Sequence, residues 1–277
     1  MDTSTVVPIG AHAEHAELAR LRERVRELAA EVVHAQEAVR RHLAQELHDS
    51  AGAELTAARF ALANVQTWLP ADAPPQCAAS LAVANRSLDA VSDATRHAID
   101  ELHAPSFESG IVHALSQWTG SFAARTGLRT SFVCAADARL TRLPGDAALA
   151  VFRVAQEALN NVAKHARASG ADVRIETDAE HLILVVADDG IGLPLTAGKL
   201  TSNLAANMRE RRFGLSGMRA RCEAFDGEFA IENTLRSKKH KKHARGALPG
   251  TALHARFAWR ALLATTQPDA RRHAARS

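Results

Sequence analysis

Three cysteines in 277 residues, Cys77, Cys134 and Cys222, are too few and too scattered for a disulfide framework or a thiolate metal site. An odd number without ligand spacing suits a reducing compartment, where free cysteines pack as small hydrophobes. The fourteen histidines form no ligand set either. No apolar run reaches the roughly 20 residues of a membrane-spanning helix. The opening stretch MDTSTVVPIGAHAEHAEL lacks a basic start followed by an apolar core, so it does not read as a secretory signal. A cytoplasmic protein without membrane contact is expected. Charge of one sign is also scarce. A net charge of +3 does not announce a nucleic-acid binder, and no direct nucleic-acid contact is expected. The basic excess is local, in RSKKHKKHARG (236–246), which reads as a solvated loop between strands, and in the final ARRHAARS. What the chain does have is hydrophobic residues, at 47%, enough for a core and against wholesale disorder.

Residues 1–13 read as a flexible lead. From Leu18 a heptad runs through Leu21, Val25, Leu28, Val32, Ala35 and Val39, with charges such as Arg20, Arg22, Glu23, Arg24 and Glu27 between. This is a coiled-coil seam over 14–42 and implies a parallel partner helix. At Leu43 the pattern slips by four and continues as Leu47, Ala51, Leu55, Ala58, Leu62, Val65 and Leu69. A stutter of four locally unwinds a coiled coil. The prolines of PADAPPQ (70–76) end that helix. Leu81, Ala84, Leu88, Val91, Thr95, Ala98 and Leu102 then mark a second helix, stopped by Pro105. Two amphipathic helices with narrow apolar stripes form a hairpin over 43–105, and two hairpins pairing as a four-helix bundle satisfy both stripes.

After residue 105 helices and strands interleave. GIVHALSQWTGSFAART, DAALAVFRVAQEALNNVAKHAR and FGLSGMRARCEAF read as helices. RTSFVC, DVRIET, HLILVVAD, EFAIEN and TALHARFA read as strands, giving an α+β layer sandwich over 106–263. Residues 264–277 read as a basic, flexible tail.

Four stretches of this second region invite chemistry. Arg153, Glu157, Asn161 and Lys164 recur every three or four residues and predict a polar helix face opposite Leu149, Phe152, Leu159 and Val162. A carboxylate, an amide oxygen and an ammonium on one ridge can hold a divalent cation with a polyphosphate, or they can be a solvated face with ordinary charge pairs. VVADDGIGLP (185–194) runs a strand into Asp188, Asp189, Gly190, Ile191 and Gly192. An aspartate there can accept a hydrogen bond from an exocyclic amine, and the glycines admit a ligand close to the backbone, although Asp-Gly is also a common turn dipeptide. FGLSGMRAR (213–221) sets two glycines before a helix whose first N–H groups can meet phosphate. GALPGTAL (246–253) is a glycine-rich turn that places Thr251 at the start of a strand.

Taken together, in this order and spacing, these stretches resemble the GHKL (Bergerat) ATP-binding domain shared by histidine kinases, gyrase B and Hsp90. QEALNNVAKHA looks like its N box, DDGIG its G1 box, GLSGM its G2 box and GT its last nucleotide-contact motif. Upstream, AQELHDSAGAEL (44–55) resembles the ELHDxxGQxL phosphoacceptor motif of the histidine kinases that partner LuxR-type response regulators. The resemblance covers residues 37–260. It implies a two-domain α plus α/β architecture, with a helical-hairpin dimerisation bundle, four-helix in the dimer, followed by the ATP-binding α/β sandwich. It implies ATP and Mg2+ as cofactors, and as partners a second copy of the chain and a response regulator with LuxR-type output. Residue by residue, it makes His48 the phosphoacceptor and Asp49 its neighbouring acid or base. Glu157 and Asn161 match the Mg2+-binding positions and Lys164 a phosphate contact. Asp188 matches the adenine-reading aspartate, Gly190 and Gly192 its flank, Gly214 and Gly217 the phosphate-side loop, and Thr251 the threonine that assists adenine recognition.

The helical pattern puts Arg41, Gln45, His48 and Gly52 on one polar stripe, turned from Leu43, Leu47, Ala51 and Leu55, so His48 is expected to be exposed. A neutral imidazole is a good nucleophile at cytoplasmic pH, and Asp49 can hydrogen-bond one ring nitrogen while the other attacks. Glycine at 52 costs about 1 kcal/mol within a helix but leaves room beside His48. One departure is notable. The family usually has glutamine, sometimes histidine, five residues after the phosphoacceptor, and this chain has Ala53. Weak hydrolysis of a regulator's acyl phosphate is expected from it. The competing functions are a dimeric scaffold that binds a regulator or nucleotide without turnover, and a GHKL ATPase without phosphotransfer. The second leaves the ELHD hairpin unexplained.

Overall fold

The computed structural model of the chain describes residues 9–192, 214–234 and 250–264. The chain divides into two compact units, residues 34–105, and residues 1–33 with 106–277. Among the described residues no helix is long and apolar enough to cross a membrane.

The first helix, α1 (Ile9–Glu46), starts inside the stretch read as a lead. It runs into a wide π-helical turn over Leu47–Ala51, then into α2 (Gly52–Trp68). Within α1 and the turn, apolar residues step by four through Val39, Leu43, Leu47, Ala51 and Leu55. Successive steps of four overshoot an ordinary turn of 3.6 residues. A π turn, with its i→i+5 bonding, holds more residues and brings the overshooting side chains back towards one stripe. The slip in the sequence is therefore absorbed as a wide turn, one turn later than its first sign at Leu43.

The Ala73 N–H donates to the Pro70 carbonyl at 3.0 Å in the connecting turn, and α3 (Pro75–Leu102) begins with proline at its first position. Leu55 and Leu62 of α2 and Leu81, Leu88 and Leu102 of α3 are half-buried. No residue of α2 or α3 is fully buried. Phe60 is 69% exposed and Trp68 76%. On α1 the seam residues Leu18, Leu21, Val25, Leu28, Val32 and Val39 all lie exposed.

The sheet unit begins with α4 (Gly110–Thr126), which ends where Gly127 turns left-handed at φ 70° and donates its N–H to the Ala123 carbonyl. Then come β1 (Arg129–Cys134), a short 3-10 turn, α5 (Gly145–Asn161), a second π turn over Val162–Ala166, β2 (Gly170–Thr177) and β3 (His181–Asp188). Helix α6 (214–223), β4 (Glu228–Asn233), β5 (Thr251–Ala258) and the short α7 (Trp259–Leu262) complete the described chain. The sheet order is β1-β2-β3-β5-β4. Among the described strands the β1–β2 pair is parallel, and β2–β3, β3–β5 and β5–β4 are antiparallel. The core lies between this sheet and the helices. Phe107, Trp118, Phe122 and Phe152 form a chain of ring contacts, with Trp118 and Phe152 edge-to-face at 5.5 Å, that joins α4 to α5. This is the helical unit followed by an α/β layer sandwich that the sequence predicts.

One expectation about α5 fails. The spacing predicts a polar face shared by Arg153, Glu157, Asn161 and Lys164, yet Arg153 is 2% exposed and donates to Gln156 Oε1 at 2.7 Å. From Ala150 to Gln156 every residue of α5 is buried. A helix covered on nearly all sides has no solvent face at its centre, so its polar groups must find partners inside. The basic stretch 236–246 and the tail beyond 264 lie outside the described residues.

Candidate functional site

The helical unit presents His48. The imidazole is exposed, as expected, in the π turn rather than in a regular helix. Such wide turns occur often at functional positions, because they re-aim a side chain that a regular helix would point elsewhere. Asp49 is also exposed and makes no hydrogen bond or ion pair to His48 within the described structure. Consecutive helical residues point well apart around the axis, so a direct His48–Asp49 bond is not the resting arrangement. His48, Asp49, Gly52 and Ala53 line a groove shared with Thr56 and Phe60 of α2 and with Ser92, Thr95 and Arg96 of α3.

The sheet unit builds a separate cleft at the C-terminal end of β3. Asp188 is the last residue of that strand and Thr251 the first of β5. Antiparallel pairing sets Ala187 opposite Ala252, so the two polar residues meet at the sheet's rim. Burial pushes the Asp188 carboxyl above its ordinary range, against hydrogen bonds from the backbone N–H groups of Gly190 and Thr251 and from the Thr251 hydroxyl. The Gly190 bond is 2.8 Å. Asn161, at the end of α5, lines the same cleft, as do His165, Gly192 and an apolar wall including Val186, Leu215, Met218 and Ile231. An apolar slot with a few convergent polar groups suits a flat heterocycle with an exocyclic amine.

Asn161 supplies the test of fit for a nucleotide and its ion. Its Nδ2 is buried and, within the described structure, has no hydrogen-bond partner. A buried unsatisfied N–H donor calls for an acceptor, such as a phosphate oxygen, and leaves the amide oxygen to face the ion. Glu157 stands one turn earlier on α5 and is half-buried. The pair offers a carboxylate and an amide, few protein oxygens, as Mg2+ prefers when phosphates and water supply the rest. The residues present fit the group.

The glycines divide by role. Gly192 has φ 73°, a left-handed backbone that side chains resist. Gly190 is needed for a close approach: a Cβ there would overlap the Ala166 carbonyl oxygen and stand 2.8 Å from the Ala166 Cβ. The loop is pinned at this point, since the Ile191 N–H donates to the same carbonyl at 2.8 Å. Gly214 opens α6 and lies against the Glu157 carboxylate. Gly217 departs from the expectation that both glycines precede the helix. It is buried inside α6, where its carbonyl accepts from Arg221 at 3.0 Å. Lys164 is exposed in the second π turn and is not among the residues lining the cleft.

Sequence reasoning missed two features. His165 lines the cleft, although only its neighbour Lys164 was singled out. Asp189 was passed over beside Asp188, yet its carboxylate accepts from the N–H groups of Ser169 and Gly170 at 2.7 and 2.9 Å and from the Ser169 hydroxyl at 2.5 Å. Burial works to raise this carboxyl, but the hydrogen bonds outweigh it and the net shift is down. Asp189 thus ties the loop to the start of β2 and holds its neighbour at the rim. The signal available was the doubled aspartate, with two adjacent carboxylates in opposite environments.

The comparisons agree with this division. Residues 39–107 match a family described as "Histidine kinase", and residues 146–257 one described as "Histidine kinase-, DNA gyrase B-, and HSP90-like ATPase". The chain is 33% identical over 210 residues to the "Signal transduction histidine-protein kinase/phosphatase UhpB" of Salmonella typhimurium, covering 75% of this chain and 39% of the relative. It is 32% identical over 202 residues to the "Sensor histidine kinase NarS" of Mycobacterium tuberculosis, covering 73% and 44%. It is 29% identical over 212 residues to the "Signal transduction histidine-protein kinase/phosphatase DegS" of Brevibacillus brevis, covering 73% and 49%. The chain spans less than half the length of each of these relatives. With one match over the helical hairpin and another over the sheet unit, in kinase order, the chain belongs to the histidine kinase family.

Proposed function

We propose that the protein is an ATP-dependent histidine autokinase of a two-component signalling system. The observation that carries this reading is the meeting of Asp188, Thr251 and Asn161, whose Nδ2 has no partner among the described residues, in one cleft, on a chain that also exposes His48 in an irregular helical turn. Asp188 accepts from the adenine amine, assisted by the Thr251 hydroxyl. Gly190 and Gly192 let the ring approach the backbone, and Gly214 and Gly217 flank the phosphate side. Glu157 and Asn161 hold Mg2+, which when bound neutralises phosphate charge and orients the chain of phosphates. Lys164 adds a cation for the phosphates. An imidazole nitrogen of His48 forms the bond to the γ-phosphorus as the bond to the β-phosphate oxygen breaks, and ADP leaves. Asp49 takes the ring proton through water. The phosphoryl group then passes from His48 to an aspartate carboxylate of a response regulator, one with LuxR-type DNA-binding output. Incubation with ATP labelled in the γ-phosphate, followed by addition of candidate regulators, tests the whole sequence. Label must appear first on this chain and then on a regulator.

The working unit is a homodimer. We assign residues 1–13 to a lead, 14–42 to a coiled coil, 43–105 to dimerisation and phosphotransfer, 106–263 to ATP binding and 264–277 to a tail. Neither α2 nor α3 buries a residue fully, and the seam of α1 is open, so both need a second copy. Light scattering at micromolar concentration should give twice the 29.7 kDa chain mass. A monomer under those conditions would refute the bundle. The three free cysteines, Cys77, Cys134 and Cys222, suit a cytoplasmic setting.

Hydrolysis of the phosphorylated regulator should be slow. A glutamine amide can both donate to and accept from an attacking water, and Ala53, exposed beside His48 in the groove, can do neither. In the presence of ADP the wild-type protein should barely accelerate decay of the phospho-regulator, and Ala53→Gln should raise that rate. Strong acceleration by the wild type would overturn the argument.

A further inference from the structure

We infer that Gly214 is a positioning residue for the metal-binding carboxylate, the space its missing side chain leaves being the space in which the Glu157 carboxylate lies. A Cβ built on Gly214 would overlap Glu157 Oε1 and stand 3.2 Å from its Cδ and 3.5 Å from its Cγ. Three other helical glycines do not behave this way. At Gly52, Gly120 and Gly145 an added Cβ meets nothing within 4 Å. Gly190, Gly227 and Gly250 are tight for a different reason: each presses on a backbone carbonyl, of Ala166, Arg256 and Asp188 respectively. A side chain at those three positions must move the main chain. A side chain at Gly214 has only to push aside the far end of one glutamate. Its substitution therefore leaves the fold in place and changes where a single carboxylate can sit. Helical positions generally disfavour glycine, so alanine there carries no intrinsic penalty.

The carboxylate concerned is the one that matters for the ion. Glu157 and Asn161 follow each other by one turn on α5, and Asn161, whose Nδ2 has no hydrogen-bond partner among the described residues, lines the cleft that holds Asp188. An ion bound by few protein oxygens depends on each being held in place. The start of α6 thus sets the reach of the α5 carboxylate, and any movement of α6 is felt at the ion. The adenine end of the cleft, built by Asp188 and Thr251 on β3 and β5, is not touched by this contact. The inference rests on the nucleotide reading above and adds to it a steric link between two elements that carry separate motifs.

The test uses the full chain and Mn2+ as the probe, titrated by electron paramagnetic resonance in the presence of ADP. Gly214→Ala should bind Mn2+ about 10-fold or more weakly, the usual scale for disturbing a ligand's support. Its Mn2+ affinity should fall by more than its affinity for ADP in EDTA, measured by calorimetry. Glu157→Asp alone should also weaken Mn2+, because the carboxylate is drawn back by one methylene. The same shortening relieves the overlap with a residue-214 side chain, so the Gly214→Ala/Glu157→Asp double variant should bind Mn2+ no worse than Gly214→Ala. That would be a non-additive cycle, as contact between the two positions requires. Wild-type Mn2+ affinity in Gly214→Ala, fully additive losses in the double variant, or an equal loss of ADP binding in EDTA would each overturn the inference while leaving the nucleotide reading intact. Failure of the wild-type protein to bind ADP at all would remove the nucleotide reading and this inference with it.

Discussion

The His48→Gln protein should take up no label from γ-phosphate-labelled ATP while binding the nucleotide as tightly as the wild type. His48 lies in the helical unit and the cleft of Asp188 and Thr251 in the sheet unit, so on the proposed assignment the substitution removes the nucleophile and leaves the nucleotide cleft alone. Glutamine is close in size, and its amide nitrogen has no free lone pair with which to attack phosphorus. The exposed position carries no packing load, so the variant should fold normally. In the wild type the phosphate should be lost in acid and kept in base, as expected for a phosphorus–nitrogen bond to imidazole and not for a phosphate ester on serine. Full labelling of His48→Gln would show that another residue accepts the phosphoryl group. If the reaction takes its nucleophile from this one place, as proposed, the expected effect is the largest of any substitution in the chain.

Asp188→Asn should lose ATP affinity by about 5- to 150-fold, the equivalent of about 1–3 kcal/mol for one specific, partly buried hydrogen bond. The amide keeps an oxygen that can accept from the Gly190 or Thr251 N–H, so the local fold survives. It can also turn an N–H group towards the adenine amine, setting donor against donor. Stability should not suffer. Burial raises the Asp188 pKa, so in the folded protein the carboxylate form is penalised. A group with a raised folded pKa favours folding below its unfolded value, near pH 3.9, and loses that contribution as pH rises through the folded value. At neutral pH the wild-type carboxylate is therefore a cost that asparagine does not carry. Binding has the opposite dependence. On this assignment the carboxylate accepts from the amine more strongly than the protonated acid, whose O–H competes as a donor, so wild-type affinity should fall on acidification, starting above the ordinary aspartate range, and the Asn variant should lack this limb. Calorimetric titration with ATP across pH measures both effects. An Asn variant that binds like the wild type would remove Asp188 from adenine recognition.

Much of this molecule was legible from one-dimensional pattern. The strands RTSFVC, HLILVVAD, EFAIEN and TALHARFA occupy the residues that alternation and bounding turn residues predict. The helix GIVHALSQWTGSFAART matches α4 end to end. Period and punctuation are local properties, carried by residues that are neighbours in the chain. The resemblance gave Asp188 and Thr251 a ligand in common, and the structure sets the two side chains against each other at the sheet's rim.

Other features depended on partners distant in sequence. The two π turns, at 47–51 and 162–166, carry His48 and Lys164; the sequence marks the first only as a stutter at Leu43 and reads the second as continuous helix. Polar residues at helical spacing predicted a solvent face for Arg153, but whether such a face meets water is decided by what packs over it, and α5 is covered from Ala150 to Gln156. Glycine identity likewise left open why each glycine is there. Gly192 serves its own backbone, Gly190 a carbonyl 24 residues earlier in chain order at Ala166, and Gly214 a carboxylate on another helix. The amino-acid sequence by itself determined the elements, their order and the residue types available for phosphoryl transfer. Only the tertiary structure decided which of those side chains share a cleft and which are buried away from it, because burial and close approach are relations between elements and no local pattern records them.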